Sequence, residues 1–111
     1  MANPQIPQEV RLSAAQKFIG DFVQERIATG GWDNASGPEL CMLLAEEMGE
    51  VAKEVRRLHF KEKLKDSTPT DLSHELVDML NYICRIANTY GLDLEKAYRE
   101  KNTEILGRFP D

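Results

Sequence analysis

Apolar residues recur at three- and four-residue steps through Leu12, Ala15, Phe18, Ile19, Phe22, Val23 and Ile27, which predicts a helix over about 12–28 that opens near Ser13. Gly30 and Gly31 stop it. A loop of turn-forming residues follows around Trp32, the only tryptophan. A second helix starts at Ser36, with Pro38 in its first turn and Glu39 at the capping-box position, and runs to about Phe60 along an apolar line through Leu40, Leu44, Val51, Val55 and Leu58. After a lysine-rich polar loop, a third helix begins between Pro69 and Leu72, capped by Thr68 or Thr70, and extends to Tyr90 before Gly91. Leu72, Leu76, Val77, Met79, Leu80, Ile83, Cys84, Ile86 and Ala87 surround it on nearly every side, so it should be the centre of a bundle. Asp93 caps a shorter fourth helix from Leu94 to about Leu106. No strand pattern or internal repeat appears. The expectation is an all-α domain over 11–111, preceded by a loose arm over 1–10.

Two breaks in this pattern carry the chemistry. Glu47 falls on the apolar line of the second helix and Glu50 lies three residues on; Glu75 and Asp78 repeat that spacing within the third. One reading is that these are solvated acids in an acid-rich chain. Against it, an unpaired buried carboxylate costs several kcal/mol, and no arginine stands three or four residues from Glu75. Four convergent carboxylates without histidine or cysteine suit a hard cation, Mg²⁺ or Mn²⁺ in its place, whose coordination substrate phosphates usually complete. Glu-x-x-His pairs, the mark of a di-iron bundle, are missing. His59 and His74 are read as edge residues, and Glu46 and Glu54 as exposed helix residues with a lesser chance of assisting the acids.

Composition narrows the class. The net charge of −5 comes from 19 acids and 14 bases, and without the four acids 15 face 14, so the acidity is local. Scattered bases give no nucleic-acid surface, and no window approaches a membrane span or a signal peptide, which points to a cytoplasmic protein. Cys41 and Cys84 are expected to be buried, reduced thiols. Trp32 can either cover a core edge or stack on a ligand ring, and Phe18 and Phe22 can either fill core or line a base pocket. Tyr82, one turn after Asp78, is either a core tyrosine or a hydrogen-bond donor to substrate; Lys53 is a partner of Glu50, an exposed lysine or a phosphate contact.

Glu46, Glu47 and Glu50, then Glu75 and Asp78, form the E-E-x-x-E and E-x-x-D motifs in order, and with them the chain from Phe22 to Pro110 resembles the MazG-like, all-α nucleoside triphosphate pyrophosphohydrolases. The resemblance implies a four- to five-helix bundle completed by homo-oligomerisation, as a dimer or dimer of dimers. It implies Glu47, Glu50, Glu75 and Asp78 as magnesium ligands. It also implies hydrolysis of a nucleoside triphosphate to monophosphate and pyrophosphate, as nucleotide-pool housecleaning. Lys101 and Arg108 resemble the family's phosphate-contacting C-terminal segment, although the usual asparagine position holds Ile105 and the asparagine stands at Asn102. FVQER in the first helix, the loop tryptophan and Tyr82 are similar to the short dCTP pyrophosphatase-like members. The phosphoribosyl-ATP hydrolases are a close variant. A different class, a non-catalytic helical module binding nucleotide or protein through the same acidic groove, is the alternative.

Overall fold

The computed structural model describes Gln5 and residues 11–60 and 69–109. Four helices account for nearly all of them: α1 (Leu12–Thr29), α2 (Gly37–Phe60), α3 (Pro69–Thr89) and α4 (Leu94–Gly107). No strand occurs among the described residues, so the all-α expectation holds. The N-terminal arm over 1–10, Gln5 apart, the lysine-rich loop and the Thr68 cap lie outside the described residues. Among the described residues no helix is long and apolar enough to cross a membrane.

Helix α3 is central. It packs against α2 on one side and α1 on another, while α4 docks on α1. Local chemistry sets the helix ends. At α2 the capping box closes as its sequence dictates: the Glu39 N–H donates to Ser36 Oγ at 3.3 Å and the Ser36 N–H to Glu39 Oε1 at 3.2 Å. Hydrogen bonding to Ser36, its side chain first and its backbone N–H second, holds the Glu39 carboxyl below its usual range. At α4, Asp93 Oδ1 accepts from the Lys96 N–H at 3.2 Å. Gly31 and Gly91 take the positive φ values, 76° and 65°, that release the chain after α1 and α3.

Two contacts fix how the helices sit. A Cβ at Gly37 would overlap the Tyr90 ring, so glycine lets the start of α2 lie under the end of α3 and a larger residue would have to displace that ring. The second contact is the buried Gln16 amide: Nε2 donates to Leu92 O at 2.9 Å and Asn88 Oδ1 at 3.2 Å, while Oε1 accepts from the Leu94 N–H at 2.8 Å. Asn88 Nδ2 returns a bond to Gln16 O at 3.0 Å. Helix α1 opens at Leu12, as expected, and the next residue is Ser13. Its N–H and hydroxyl both donate to Glu95 Oε1 at 2.9 Å, adding a second tie from α1 to α4.

Among the described residues the buried apolar side chains are few: Ile19, Leu40, Val51, Cys84 and Ala87. The apolar line of α2 departs from expectation at one position. Val55 is exposed, and Glu54 is buried in its place, held by Arg57 at 2.8 Å. One more residue along a helix turns the side chain by about 100°, enough to exchange the two faces. Cys41 is exposed rather than buried, whereas Cys84 is buried, and both are free thiols. Leu76, Val77, Leu80 and Ile83 form an uncovered stripe on α3, and Cys41, Ala45, Met48, Ala52 and Val55 form another on α2.

Replacing Gln16 by alanine leaves part-buried backbone groups of the α3–α4 turn without their side-chain partner. The expected loss is about 2–3 kcal/mol, read as a lower urea midpoint at unchanged m-value. An unchanged midpoint would show that the amide network adds nothing to the docking of α4.

Candidate active site

The antiparallel packing of α2 on α3 brings two turns of acids together. One carboxylate oxygen from each of Glu47, Glu75 and Asp78 lies within 4.8 Å of the others. Two like charges at that distance repel by about 1 kcal/mol in bulk water, and by roughly 3–4 at an effective dielectric near 20. The response is local. Burial, first, and then a hydrogen bond with Glu75 and the charges of Asp78, Glu75 and Glu50 push the Glu47 carboxyl above its ordinary 4.5. Glu50 stands outside the close triangle, with an oxygen 3.7 Å from Lys53 Nζ. An all-oxygen set with surplus negative charge fits a hard divalent cation, which would replace the proton that Glu47 is pressed to retain.

Beside the triangle lies a cavity of about 180 Å³ whose lining includes Asp78, Asn81, Tyr82, Arg85, Trp32 and Phe22. Asp78 therefore belongs to both the acid cluster and the cavity. Trp32 reaches it because its N–H donates back to Arg26 O at 3.2 Å, folding the loop onto the end of α1. There the indole meets the Phe22 ring edge-on at 5.7 Å. Phe18 extends the aromatic row, 6.4 Å from Phe22, but is not among the residues lining the cavity. A larger cavity of about 470 Å³ continues past Ile19, Val23 and Arg85 toward Asn34, Ser36 and Asn88.

Arg85 is the residue that the sequence reading missed. Its guanidinium carbon lies 5.4 Å from the Tyr82 ring centre and 5.9 Å from that of Trp32. The available signal was its position three residues after Tyr82 and seven after Asp78, on the same side of α3. Glu54, read from sequence as an exposed helix residue, is instead buried with Arg57. His59 and His74 are exposed, as expected.

The C-terminal residues occupy different surroundings. Lys101 and Arg108 both pair with Glu104 on α4, and Asn102 Nδ2 donates to Tyr98 O at 2.8 Å. Within one chain they bond along their own helix.

A model of the MazG nucleotide pyrophosphohydrolase domain matches residues 36–111, from the cap of α2 onward. This chain belongs to that family. The matched span contains the whole acid triangle, Tyr82 and Arg85, while Trp32 and α1 precede it. A relative in Bacillus subtilis (strain 168), described as "Uncharacterized protein YvdC", is 31% identical over 106 residues, covering 86% of this MazG-family chain and 95% of the relative.

Because the Glu47 carboxyl is raised in the folded protein, its contribution to metal-free stability is present below the ordinary carboxylate range and is lost as pH rises through the raised value. At pH 7 in EDTA, Glu47→Gln is therefore expected to melt higher than the wild type. Adding Mg²⁺ at a hundred times its Kd should stabilise the wild type by about 2.7 kcal/mol and the variant far less. Equal Mg²⁺ responses by thermal melting would take Glu47 out of the cation site.

Proposed function

We propose that this protein hydrolyses nucleoside triphosphates to nucleoside monophosphate and pyrophosphate at the Glu47, Glu75 and Asp78 cluster, with Glu50 completing the ligand set. The observation that carries this reading is the shared wall: Asp78 belongs to a three-carboxylate cluster and also to the aromatic cavity beside it. A nucleotide has the same two-part character, with phosphates that need cations joined to a base that stacks. Bound Mg²⁺, or Mn²⁺ in its place, would neutralise phosphate charge and make a water more acidic at neutral pH.

The remaining roles belong to the chain itself. Trp32 and Phe22 offer ring surface to a base, and Tyr82 offers a hydroxyl near the acids. Lys53, held near Glu50, is placed to exchange that partner for a phosphate oxygen. Water attacks the α-phosphorus as the bond to the bridging oxygen breaks, releasing pyrophosphate without a covalent enzyme intermediate. FVQER, Trp32 and Tyr82 support a subgroup assignment near the dCTP pyrophosphatases and a cytoplasmic housecleaning role.

The exposed apolar stripes on α2 and α3 support assembly with a second copy, as a dimer or dimer of dimers. Burying such stripes is worth roughly 25 cal/mol per Å². Assembly would also give Lys101, Asn102 and Arg108 a route to a neighbouring site, since α4 projects from α1 rather than packing on the acids. Light scattering on the eluted protein should give at least twice the chain mass, and a monomer mass would contradict the packing argument.

The reaction is tested by incubating ribo- and deoxynucleoside triphosphates with Mg²⁺ or EDTA and identifying the products by chromatography. Monophosphate and pyrophosphate, abolished by EDTA, are expected. Glu50→Gln and Asp78→Asn should each lower kcat by at least about a hundredfold, on the scale of losing one preorganised charged group, with little change in fold. Nucleotide binding without product would instead favour a non-catalytic module.

A further inference from the structure

Arg85 stands where the two cavities meet, lining both. Its side chain touches the rings of Tyr82 and Trp32, and among the described residues no carboxylate or other acceptor pairs with it. The larger cavity brings neutral amides and hydroxyls to its far side, from Gln24, Asn34, Ser36, Asn88 and Thr89, and no acid. A guanidinium carries five donors and no acceptor in a rigid planar fork. Whatever enters between the rings therefore meets donors that the protein itself leaves unused.

Position decides which part of a nucleotide that is. Arg85 follows Asp78 by seven residues, about 10 Å along the helix axis. If the phosphates lie at the acids, as the proposed function holds, the guanidinium sits at the base end. We infer that Arg85 is a specificity-determining residue that reads the base through its fork and selects an edge carrying two adjacent acceptors. Guanine presents such an edge at O6 and N7, and cytosine at O2 and N3. Adenine places an amino donor beside N7, and thymine and uracil place an N–H beside each carbonyl, so each sets one donor against the fork. The Tyr82 and Trp32 rings hold the guanidinium plane while its N–H groups remain available.

The test separates this inference from the reaction it rests on. Binding of the α,β-imido analogues of dGTP, dCTP, dATP and dTTP, which cannot release pyrophosphate, is measured by calorimetry in Mg²⁺. The wild type is expected to bind the dG analogue, the dC analogue or both at least roughly tenfold tighter than the other two, as one bidentate contact allows. In Arg85→Gln that ratio should fall below about threefold because the dG and dC analogues weaken, with the dA and dT analogues nearly unchanged. Arg85→Lys, which keeps the charge and loses the fork, should relax the ratio as well.

A wild type that binds all four alike, prefers dA or dT, or binds none would overturn the inference. So would a ratio that survives in Arg85→Gln, or an equal loss for all four, which marks a purely structural arginine. Discrimination that Arg85→Gln removes, in a protein that hydrolyses no natural triphosphate, would uphold the role of Arg85 and sink the proposed reaction.

Discussion

Mutual repulsion among Glu47, Glu75 and Asp78 is the constraint around which the rest of the molecule is arranged, and the packing of α2 on α3 is what holds them in place. Left to themselves, three carboxylates this close would separate or protonate. Separation is blocked because Leu40 and Val51 bury one side of α2, and because Gly37 lets Tyr90 lie across the other end of the pair. The Glu47 carboxyl consequently retains its proton to higher pH than an ordinary glutamate. Stability is thus spent on a charge pattern that a divalent cation would relieve.

The same helix pair explains why the aromatic cavity lies where it does. Asp78, Asn81, Tyr82 and Arg85 follow one another along α3, so the wall of the cavity begins at the last of the acids and runs two turns beyond it. Helix α1 supplies the opposite wall through Phe22, and the backbone bond from Trp32 to Arg26 folds the loop tryptophan inward. Gln16, on the other face of α1, keeps that helix fixed against the α3–α4 turn. Base-sized space and acid cluster are therefore built from one continuous surface.

The parts of this arrangement that follow from local rules were legible in the sequence. Ser36 and Glu39 close a box within four residues, Asp93 caps its own helix, and the acid pairs repeat at a spacing that any helix places on one side. Misreadings arose where a distant contact decides. Glu54 and Val55 differ by one position, and only the docking of α2 shows that the acid, with Arg57, is the buried one. Arg85 reads as one more base until the loop delivers Trp32 to its side. Lys101, Asn102 and Arg108 carry the right chemistry for phosphate, yet what they face depends on how α4 docks and on what covers it.

The central claim is that three carboxylates from two helices act as one cation site. Electron paramagnetic resonance of Mn²⁺ titrated into the protein without nucleotide tests it directly, since bound and free Mn²⁺ give different signals. The account predicts saturable binding in the wild type that is lost or weakened at least about tenfold in both Glu75→Gln and Asp78→Asn, each removing one charged ligand from a different turn of α3. Undiminished Mn²⁺ binding in both variants would contradict it, and the acids would then be a strained but solvated helix pair.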